Sequence, residues 1–359
     1  MSHSAARERR DRWTHGTHRA VKSLRTFQPY TGPRWHLGLQ AALVMAVPIA
    51  VGAALGSETL GILAATGGFT VLHVTNLNVL ERIRVLPLVA AFLLFASTLA
   101  TVLAPYPLAA SVGLVVVTVA GAALSFGYRM GAPGPLFVAL AYGLSARVTA
   151  VVDGERAIAP ASLIMAVAAG MLFALAVAAS PILLARNRHL PARPLRQILS
   201  VFNLGRDGRT LLMRVAIVAV VGTAISVTAI DPERAYWTVG AGIAVIGTRA
   251  GRGDAARRGL HRIVGTVAGA LIFLAFGSLD LAPLALAVVL GSLQFVTQLV
   301  TVRNYALALL FITPMVLLLT GAATGTIGSF STLTERVVDT VIGALLGTLT
   351  GLLHRPHAR

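Results

Sequence analysis

Long apolar runs without a charged residue recur along the whole sequence. A helix needs about 20 mostly apolar residues to cross a bilayer, and runs of this kind fill most of the 359 residues. Hydrophobic residues make up 56% of the chain and charged residues only 12%, about half the charged share of a soluble domain. These runs predict an all-α protein that crosses a membrane many times.

Turns rich in proline and glycine divide the apolar runs into about twelve predicted transmembrane helices. We place six in the first half, at 37–56, 59–77, 85–104, 107–127, 131–148 and 159–184. The other six lie at 211–230, 234–248, 261–279, 281–301, 304–323 and 334–353. Asp231-Pro232-Glu233 and the stretch from Asp280 to Pro283 are two of the turns that separate neighbouring spans.

The two halves of the chain look like a duplication with an offset of about 175 residues. Each half has a short second span interrupted by glycine, at Gly67-Gly68 in the first and at Gly240 and Gly242 in the second. Because six spans return the chain to the side on which it started, we expect two parallel six-helix repeats related by an axis along the membrane normal. Chance similarity between apolar segments is the alternative.

The spans divide the chain into five segments. They are a basic cytoplasmic tail (1–36), the first membrane repeat (37–184), a cytoplasmic linker (185–210), the second membrane repeat (211–353) and a short cytoplasmic tail (354–359). In the linker, apolar residues recur at helical spacing at Leu195, Ile198, Leu199 and Phe202. This spacing predicts an amphipathic helix on the membrane surface that is capped by Gly205.

The placement of arginine predicts the orientation of the spans. Of the 30 basic residues, 26 fall in the loops on the side of the N-terminus, and four fall on the other side: Arg147, Arg156, Arg234 and Arg336. The positive-inside rule then puts both termini in the cytoplasm, and we expect a bacterial plasma membrane. Although the net charge is +17, the arginines occupy short separate loops, so we expect the lipid bilayer as the partner and no nucleic acid.

Short motifs in the second half resemble a known transporter family. An aromatic pair, Tyr236-Trp237, begins one span, five arginines fill the following turn, and the segment RIVGTVAG begins the next span at 262–269. The last predicted span contains RVVDTVIG at 336–343. The motif residues are Arg262, Gly265, Thr266, Gly269, Arg336, Asp339, Thr340 and Gly343. This half is similar to the fusaric acid resistance (FUSC) and aromatic acid exporter family.

The first half departs from that resemblance. Glu81-Arg82-Ile83-Arg84 stands where the arginine–glycine–threonine motif is expected, and only the short linker stands where many members carry a large cytoplasmic domain. Functions of that domain are therefore not carried over to this chain.

The resemblance implies export of small, often aromatic, carboxylic acids. With it we predict an alternating-access transporter for a small anionic substrate, driven by protons and without a cofactor. Plant aluminium-activated malate transporters, which are dimeric six-span anion channels, are distant relatives, so a passive anion channel and a homo-oligomer both stay open. A membrane-embedded enzyme is a third alternative. It would need clustered His, Asp or Glu, whereas the acidic residues are spread over separate loops, and His73 has no nearby partner for a metal.

We predict a substrate pathway from polar, aromatic and helix-breaking residues in the spans. Arg262 and Arg303 stand at cytoplasmic span entrances, where they would attract a carboxylate or reach lipid headgroups. Tyr236 and Trp237 are predicted to anchor the outer interface, with stacking on an aromatic substrate as the alternative. The predicted pathway residues are Arg262, Arg303, Tyr236, Trp237, Gly67, Gly68, Gly240, Gly242, Gln294 and Gln298. Helix packing explains the four glycines equally well.

Asp339 is the acidic residue that we place inside a span, and we predict that it carries a proton in a coupled exporter. Two local roles compete with that prediction. Thr332 and Glu335 have the spacing of a capping box, and Arg336 lies three residues before Asp339, the spacing of a local ion pair. Glycines at four-residue spacing after Asp339, at Gly343 and Gly347, predict close helix packing.

Overall fold

The computed structural model describes residues 21–29, 32, 34–200, 202–249, 251–276, 279 and 281–353, apart from the side chains of 275 and 276. Most of the predicted N-terminal tail (1–20), the C-terminal tail (354–359) and Asp280 lie outside the described residues.

Helices account for about 80% of the structure. The first half contains α1 (Trp35–Ala54), α2 (Glu58–Gly67), α3 (Val79–Leu103), α4 (Pro107–Gly127), α5 (Leu136–Val148) and α6 (Pro160–Ala179). The linker contains the short α7 (Ala185–Arg188) and α8 (Leu195–Leu199). The second half contains α9 (Gly205–Ile225), α10 (Ala235–Ile246), α11 (Arg252–Phe276), α12 (Pro283–Val300), α13 (Tyr305–Thr324) and α14 (Phe330–Leu349). A two-residue hairpin, β1 (Val151–Val152) with β2 (Glu155–Arg156), connects α5 to α6.

Within the described residues, eight helices are long and apolar enough to cross a membrane: α1, α3, α4, α6, α9, α12, α13 and α14. The other four predicted spans are also helical, but α2, α5 and α10 are shorter and α11 begins with charged residues. Large apolar side chains such as Leu108, Leu172 and Val288 are exposed on the outer surface of the bundle, as expected where lipid covers the protein. The prediction of an all-α, multi-pass membrane protein is confirmed, with eight helices of full spanning length where about twelve were predicted.

Equivalent helices pack together in the two halves. The first half pairs α1 with α2, α2 with α6, α3 with α5, and α3 with α6. The second half pairs α9 with α10, α10 with α14, α11 with α13, and α11 with α14. The halves meet where α1 packs on α12 and where α4 packs on α9. The first helix of each half therefore packs on the fourth helix of the other half.

A polar contact between the third and second helices also occurs in both halves. Arg82 on α3 donates to the carbonyl oxygen of Val71, which follows α2. Arg258 on α11 donates to the carbonyl oxygen of Ala244 near the end of α10, at 2.8 Å. In each half, an arginine therefore satisfies a carbonyl that has no helical partner at a helix end.

A second matched contact joins the first and sixth helices. Gln40 on α1 donates to the carbonyl oxygen of Val177 on α6 at 3.1 Å. Arg214 on α9 donates to the carbonyl oxygen of Gly347 on α14 at 3.3 Å. Both donors are buried, so these contacts hold the ends of neighbouring helices together inside the protein.

Helix α10 lies at the centre of the second half. Eleven of its twelve residues are buried, which is typical of a helix surrounded by other helices. It continues through Gly240 and Gly242 without a break and ends at Gly247, whose φ is +60°. The predicted interruption at Gly240 and Gly242 is therefore wrong for this helix. In the first half, by contrast, α2 does change to a 3-10 turn at Gly68.

The second and sixth helices of each half cross at glycines. A Cβ atom on Gly170 of α6 would overlap the carbonyl oxygen of Ala64 on α2. A Cβ atom on Gly343 of α14 would overlap the carbonyl oxygen of Thr238 on α10. The facing glycine on α10, Gly242, has the carbonyl oxygen of Gly343 2.9 Å from the position of a Cβ atom. Glycine is therefore required for the close approach of these backbones.

Replacing Gly343 with alanine is expected to destabilise the protein by about 1–3 kcal/mol, because the added methyl group meets a backbone oxygen that cannot rotate away. The measurement is the midpoint of unfolding of the purified protein in detergent. Gly253→Ala is the matched control, since a Cβ atom there meets nothing within 4 Å. Equal midpoints for the two variants would show that the close crossing of α10 and α14 does not limit stability.

The linker differs from its predicted form. Helix α8 ends at Leu199, and Gly205 begins α9 with a φ of +55°, so the predicted cap at Gly205 is wrong. Leu195 and Ile198 pack against the protein core, and Phe202 lies on Gly127. The bundle therefore covers part of the apolar side of the linker, while Phe202 stays 50% exposed.

The helix bundle has two ends, called here the basic end and the opposite end. The basic end carries the linker, the α10–α11 and α12–α13 turns and the tail segment 21–29; there the backbone N–H of Gln28 donates to the carbonyl oxygen of Arg303 at 2.8 Å. The opposite end carries the β hairpin and the turn before α10, where Arg147 and Glu233 form an ion pair of 3.0 Å.

Candidate functional site

A turn at the opposite end positions an arginine at the start of α10. The side chain of Asp231 accepts a hydrogen bond from the backbone N–H of Glu233 at 2.8 Å, which fixes the turn that precedes α10. Arg234, only 12% exposed, then contacts three carboxylates: Glu335 at 3.0 Å, Asp339 at 3.7 Å and Asp231 at 3.8 Å. Two of these carboxylates come from α14, so Arg234 ties the start of α10 to α14.

Asp339 is fully buried on α14. It lies nine residues after Phe330, or about 13 Å along the helix from its first residue. Its Oδ1 accepts a hydrogen bond from the hydroxyl of Thr238 at the long distance of 3.5 Å. Its Oδ2 has no hydrogen-bond partner among the described residues and lies 3.7 Å from Nε of Arg234. A buried carboxylate with such loose partners is costly, which marks this position as a functional candidate.

Both local roles weighed against Asp339 are wrong. The N-cap of α14 is Ser329, whose side chain accepts from the backbone N–H of Thr332, and Glu335 pairs with Arg234, so Thr332 and Glu335 form no capping box. Asp339 pairs with Arg234 across the helix interface, because the guanidinium of Arg336 lies elsewhere, on an aromatic ring.

Arg336 lies over Trp237. Its Cζ is 3.8 Å from the centroid of the Trp237 ring, a cation–π distance, and the side chain is buried. In the part of the chain that the structure describes, neither Nε nor Nη1 of Arg336 has a hydrogen-bond partner. Unpaired buried donors are costly, so these nitrogens are available to an acceptor that is not part of the described chain.

A cavity of about 30 Å³ lies beside Arg336 and Asp339. Its walls come from α10 with Trp237, from α13 with Thr320 and Thr324, and from α14. This volume holds about two water molecules. Helix α13 packs mainly on α11 and α12, and α14 packs mainly on α10 and α11, so the cavity lies between two helices that have few contacts with each other.

The aromatic pair does not anchor a membrane interface as predicted. Tyr236 is 2% exposed and its ring lies on Gly143 of α5, so the prediction is wrong for Tyr236 because protein covers the ring. Trp237 is half-buried beneath Arg336, with its ring centroid 4.7 Å from that of Tyr236. The pair therefore belongs to the interior site.

Arg262 approaches the same interior from the basic end. It is the eleventh residue of α11, is buried, and donates from Nη1 to the hydroxyl of Tyr305 at 3.1 Å. The guanidinium of Arg258 lies 4.8 Å from the centroid of the Tyr305 ring. Arg262 and Arg336 are thus both buried, on α11 and α14, two helices that pack together.

Arg303 lies at the basic end, exposed in the turn between α12 and α13. Its guanidinium is 5.7 Å from the ring centroid of Phe27 in the tail segment. The adjacent Asn304 donates from Nδ2 to the carbonyl oxygen of Leu24 at 2.7 Å. The structure therefore places Arg303 beneath the tail segment 21–29, away from Arg336.

The predicted glycines lie at helix contacts. Gly67 faces Val167 and its neighbours on α6, Gly68 faces Val44 on α1, and Gly240 faces Leu140 on α5. Gly242 faces α14, as described above. Of the two glutamines, Gln294 is buried and Gln298 is half-buried, and neither borders the cavity beside Arg336.

The remaining motif residues hold α11 and α14 in place. Gly265 and Gly269 face the carbonyl oxygens of Ala306 and Leu309 on α13, at 2.7 and 2.6 Å from the position of a Cβ atom. Thr266 and Thr340 are buried. In the described ranges, no three His, Asp or Glu side chains come together as metal ligands.

Sequence reasoning missed Arg234, Thr238 and Tyr305 as parts of the site. One signal for Arg234 was present, because it is among the four arginines on the side that the positive-inside rule disfavours. All four have partners inside the protein: Arg147 with Glu233, Arg156 with the carbonyl of Thr101, Arg234 with three carboxylates, and Arg336 with Trp237. An arginine on the side that the positive-inside rule disfavours is therefore a candidate for a functional residue.

Comparison with known proteins matches the half that contains this site. Residues 202–350 match the family described as fusaric acid resistance protein-like, a range that contains Arg262, Arg336 and Asp339. No curated protein matches the chain, and no solved structure does.

Proposed function

We propose that the protein exports small aromatic or other organic carboxylates, because residues 202–350 match the fusaric acid resistance protein-like family. The apolar helices and the family together indicate a membrane transporter, which favours transport over the membrane-embedded enzyme. The observation that carries the substrate class is Arg336, a buried guanidinium stacked on Trp237 with two free N–H groups.

The chemistry of Arg336 suits a carboxylate. A guanidinium donates charge-assisted hydrogen bonds to carboxylate oxygens, and such bonds are about twice as strong as neutral hydrogen bonds. The ring of Trp237 holds the guanidinium in place, and the planar guanidinium can itself stack on an aromatic substrate. Fusaric acid is a pyridine carboxylic acid, so it has both a carboxylate group and an aromatic ring.

An alternating-access mechanism is supported by the small volume of the cavity beside Arg336 and by the positions of Arg262 and Arg336. A space of about 30 Å³ is too small for an aromatic ring, so α13 and α14 must separate for a substrate to enter. Arg262 attracts the anion from the basic end, and Arg336 receives it deeper in the protein.

Asp339 supplies the proposed proton coupling. It lies three residues after Arg336 on the same helix and has only long contacts, at 3.5 and 3.7 Å. When Asp339 takes up a proton, it loses the negative charge that repels a carboxylate approaching Arg336. Proton binding and anion binding therefore favour each other. The proton and the carboxylate are then carried together and released on the same side, so a pH gradient drives the carboxylate in the direction in which the proton moves.

We extend the proposal to topology. The basic end faces the cytoplasm of a bacterium, so both termini are cytoplasmic and lipid headgroups contact the exposed arginines. Twelve crossings in two parallel repeats are supported by the equivalent packing order, the two matched polar contacts and the glycine crossings in both halves.

The test is transport of fusaric acid by the purified protein in lipid vesicles. With a pH gradient imposed, we expect the acid to accumulate on the side that the gradient favours. Movement that needs no proton gradient and follows only the membrane potential would identify the passive anion channel, and absence of any carboxylate movement would contradict the proposal.

Arg262→Gln is expected to lower the transport rate roughly 10- to 100-fold, because a hydrogen bond to a charged group contributes about 1.5–3 kcal/mol. Membrane insertion should be unchanged. The control is Arg257→Gln on the same helix, since Arg257 pairs locally with Asp254 at 3.0 Å and lies away from the site. Full transport by Arg262→Gln would remove this residue from the pathway.

A further inference from the structure

A second cavity, of about 140 Å³, lies at the opposite end between the two halves. Its apolar walls include Pro107, Ala110, Leu114 and Ala146 from α4 and α5, and the turn before α10 closes it on the other side. The hydroxyl of Tyr142 in its wall already donates to the carbonyl oxygen of Ala110 at 2.9 Å. We call this cavity the vestibule.

The vestibule has the size of one aromatic ring. An engineered apolar cavity of about 150 Å³ in another protein binds benzene, and the vestibule is nearly as large. The cavity beside Arg336, at about 30 Å³, is much smaller in this conformation. A single-ring ligand therefore fits the vestibule without any movement of helices.

The charge of the vestibule is concentrated at its boundary with the first cavity. Arg147 and Tyr236 border both cavities, so the two spaces are neighbours. Arg147 pairs with Glu233 at 3.0 Å, and both side chains are partly exposed. An exposed ion pair contributes little free energy, so another carboxylate can replace Glu233 on Arg147.

We propose that the vestibule is a second binding site for the transported single-ring aromatic carboxylate. The ring lies between the apolar walls of α4 and α5, and the carboxylate pairs with Arg147 in the place of Glu233. This inference rests on the proposed function. The vestibule then receives the substrate from Arg336, and Glu233 competes for Arg147, which keeps binding weak enough for release from the protein.

Equilibrium binding of radiolabelled benzoate to the purified protein tests this inference. We expect two benzoate molecules per chain in the wild type and one in Ala110→Phe, whose ring fills the vestibule. Arg336→Gln should also bind one, at the vestibule alone. Ala109→Phe is the matched control, because the neighbouring alanine does not border the vestibule, and it should bind two.

Glu233→Gln gives an independent measurement that does not require a loss of binding. Removing the competing carboxylate is expected to tighten benzoate binding at the vestibule by about 3- to 10-fold, since glutamine pairs less strongly with Arg147. Glu155→Gln, at the exposed hairpin of the same end, should leave the affinity unchanged.

The outcomes separate the two proposals. One site per chain that is lost in Arg336→Gln and kept in Ala110→Phe would overturn the vestibule site and leave the proposed transporter standing. A second site that survives Ala110→Phe, or an unchanged affinity in Glu233→Gln, would also overturn it. Absence of benzoate binding in the wild type, together with absence of carboxylate transport, would overturn both.

Discussion

Export of fusaric acid is expected to fall about 100-fold when Arg336 is replaced by glutamine. Removing one partner of a buried, charged hydrogen bond costs about 2–5 kcal/mol, or roughly 30-fold to several-thousand-fold in rate. Glutamine keeps a polar side chain of similar length but loses the charge, the paired N–H groups and the contact with Trp237. The measurement is the initial export rate from vesicles containing equal amounts of inserted protein.

Two further variants define the cause of that loss. Arg336→Lys keeps the charge without the planar pair of donors, so its rate should fall between those of the wild type and Arg336→Gln. Arg156→Gln removes another arginine of the opposite end, which donates to the carbonyl of Thr101 at 3.0 Å, and should leave the rate nearly unchanged. Comparable rates in Arg336→Gln and the wild type would place the anion site elsewhere.

Asp339→Asn is expected to abolish accumulation while leaving exchange of substrate across the membrane. For one proton per carboxylate, each unit of pH gradient supplies about 1.4 kcal/mol, or roughly a tenfold concentration ratio. Asparagine cannot take up and release the proton, so the ratio should fall to about one at every gradient. The measurement is the steady-state concentration ratio of fusaric acid as the imposed pH gradient is varied.

The structure indicates that Asp339→Asn will still fold. Asparagine has the same shape and still accepts from Thr238, and Arg234 keeps its contacts with Glu335 and Asp231. Glu335→Gln is the control, because Glu335 pairs with the same arginine but is partly exposed; we expect it to retain accumulation. An Asp339→Asn protein that still gains a tenfold ratio per pH unit would show that this residue carries no transported proton.

Hydropathy predicts the helices well where their ends coincide with the apolar runs. The predicted span 107–127 has the bounds of α4, and the span 281–301 nearly matches α12. Helix α11 differs, beginning at Arg252 and not at the predicted residue 261. A charged helix continues beyond the membrane when its side chains pair locally, as Arg257 and Asp254 do, and hydropathy does not detect that extension.

The sequence predicts several individual residues of the candidate site but not which of them contact each other. Asp339, Arg262 and Trp237 are separate candidates from the sequence, because charged and aromatic residues within spans are uncommon. Their grouping depends on tertiary contacts between residues about 100 positions apart, such as Arg234 with Asp339. Local spacing suggested a pair of Arg336 with Asp339 instead, since the nearby ring of Trp237 cannot be inferred from helical periodicity.

Carboxylate binding at Arg336, which lies over Trp237, can be measured directly by the fluorescence of Trp237. The chain has three tryptophans, so Trp13→Phe with Trp35→Phe leaves Trp237 as the single emitter. Titration with fusaric acid should change its emission to a saturating value, and Arg336→Gln should remove that change. Emission that stays constant at concentrations that saturate export, or that changes equally in Arg336→Gln, would contradict the account.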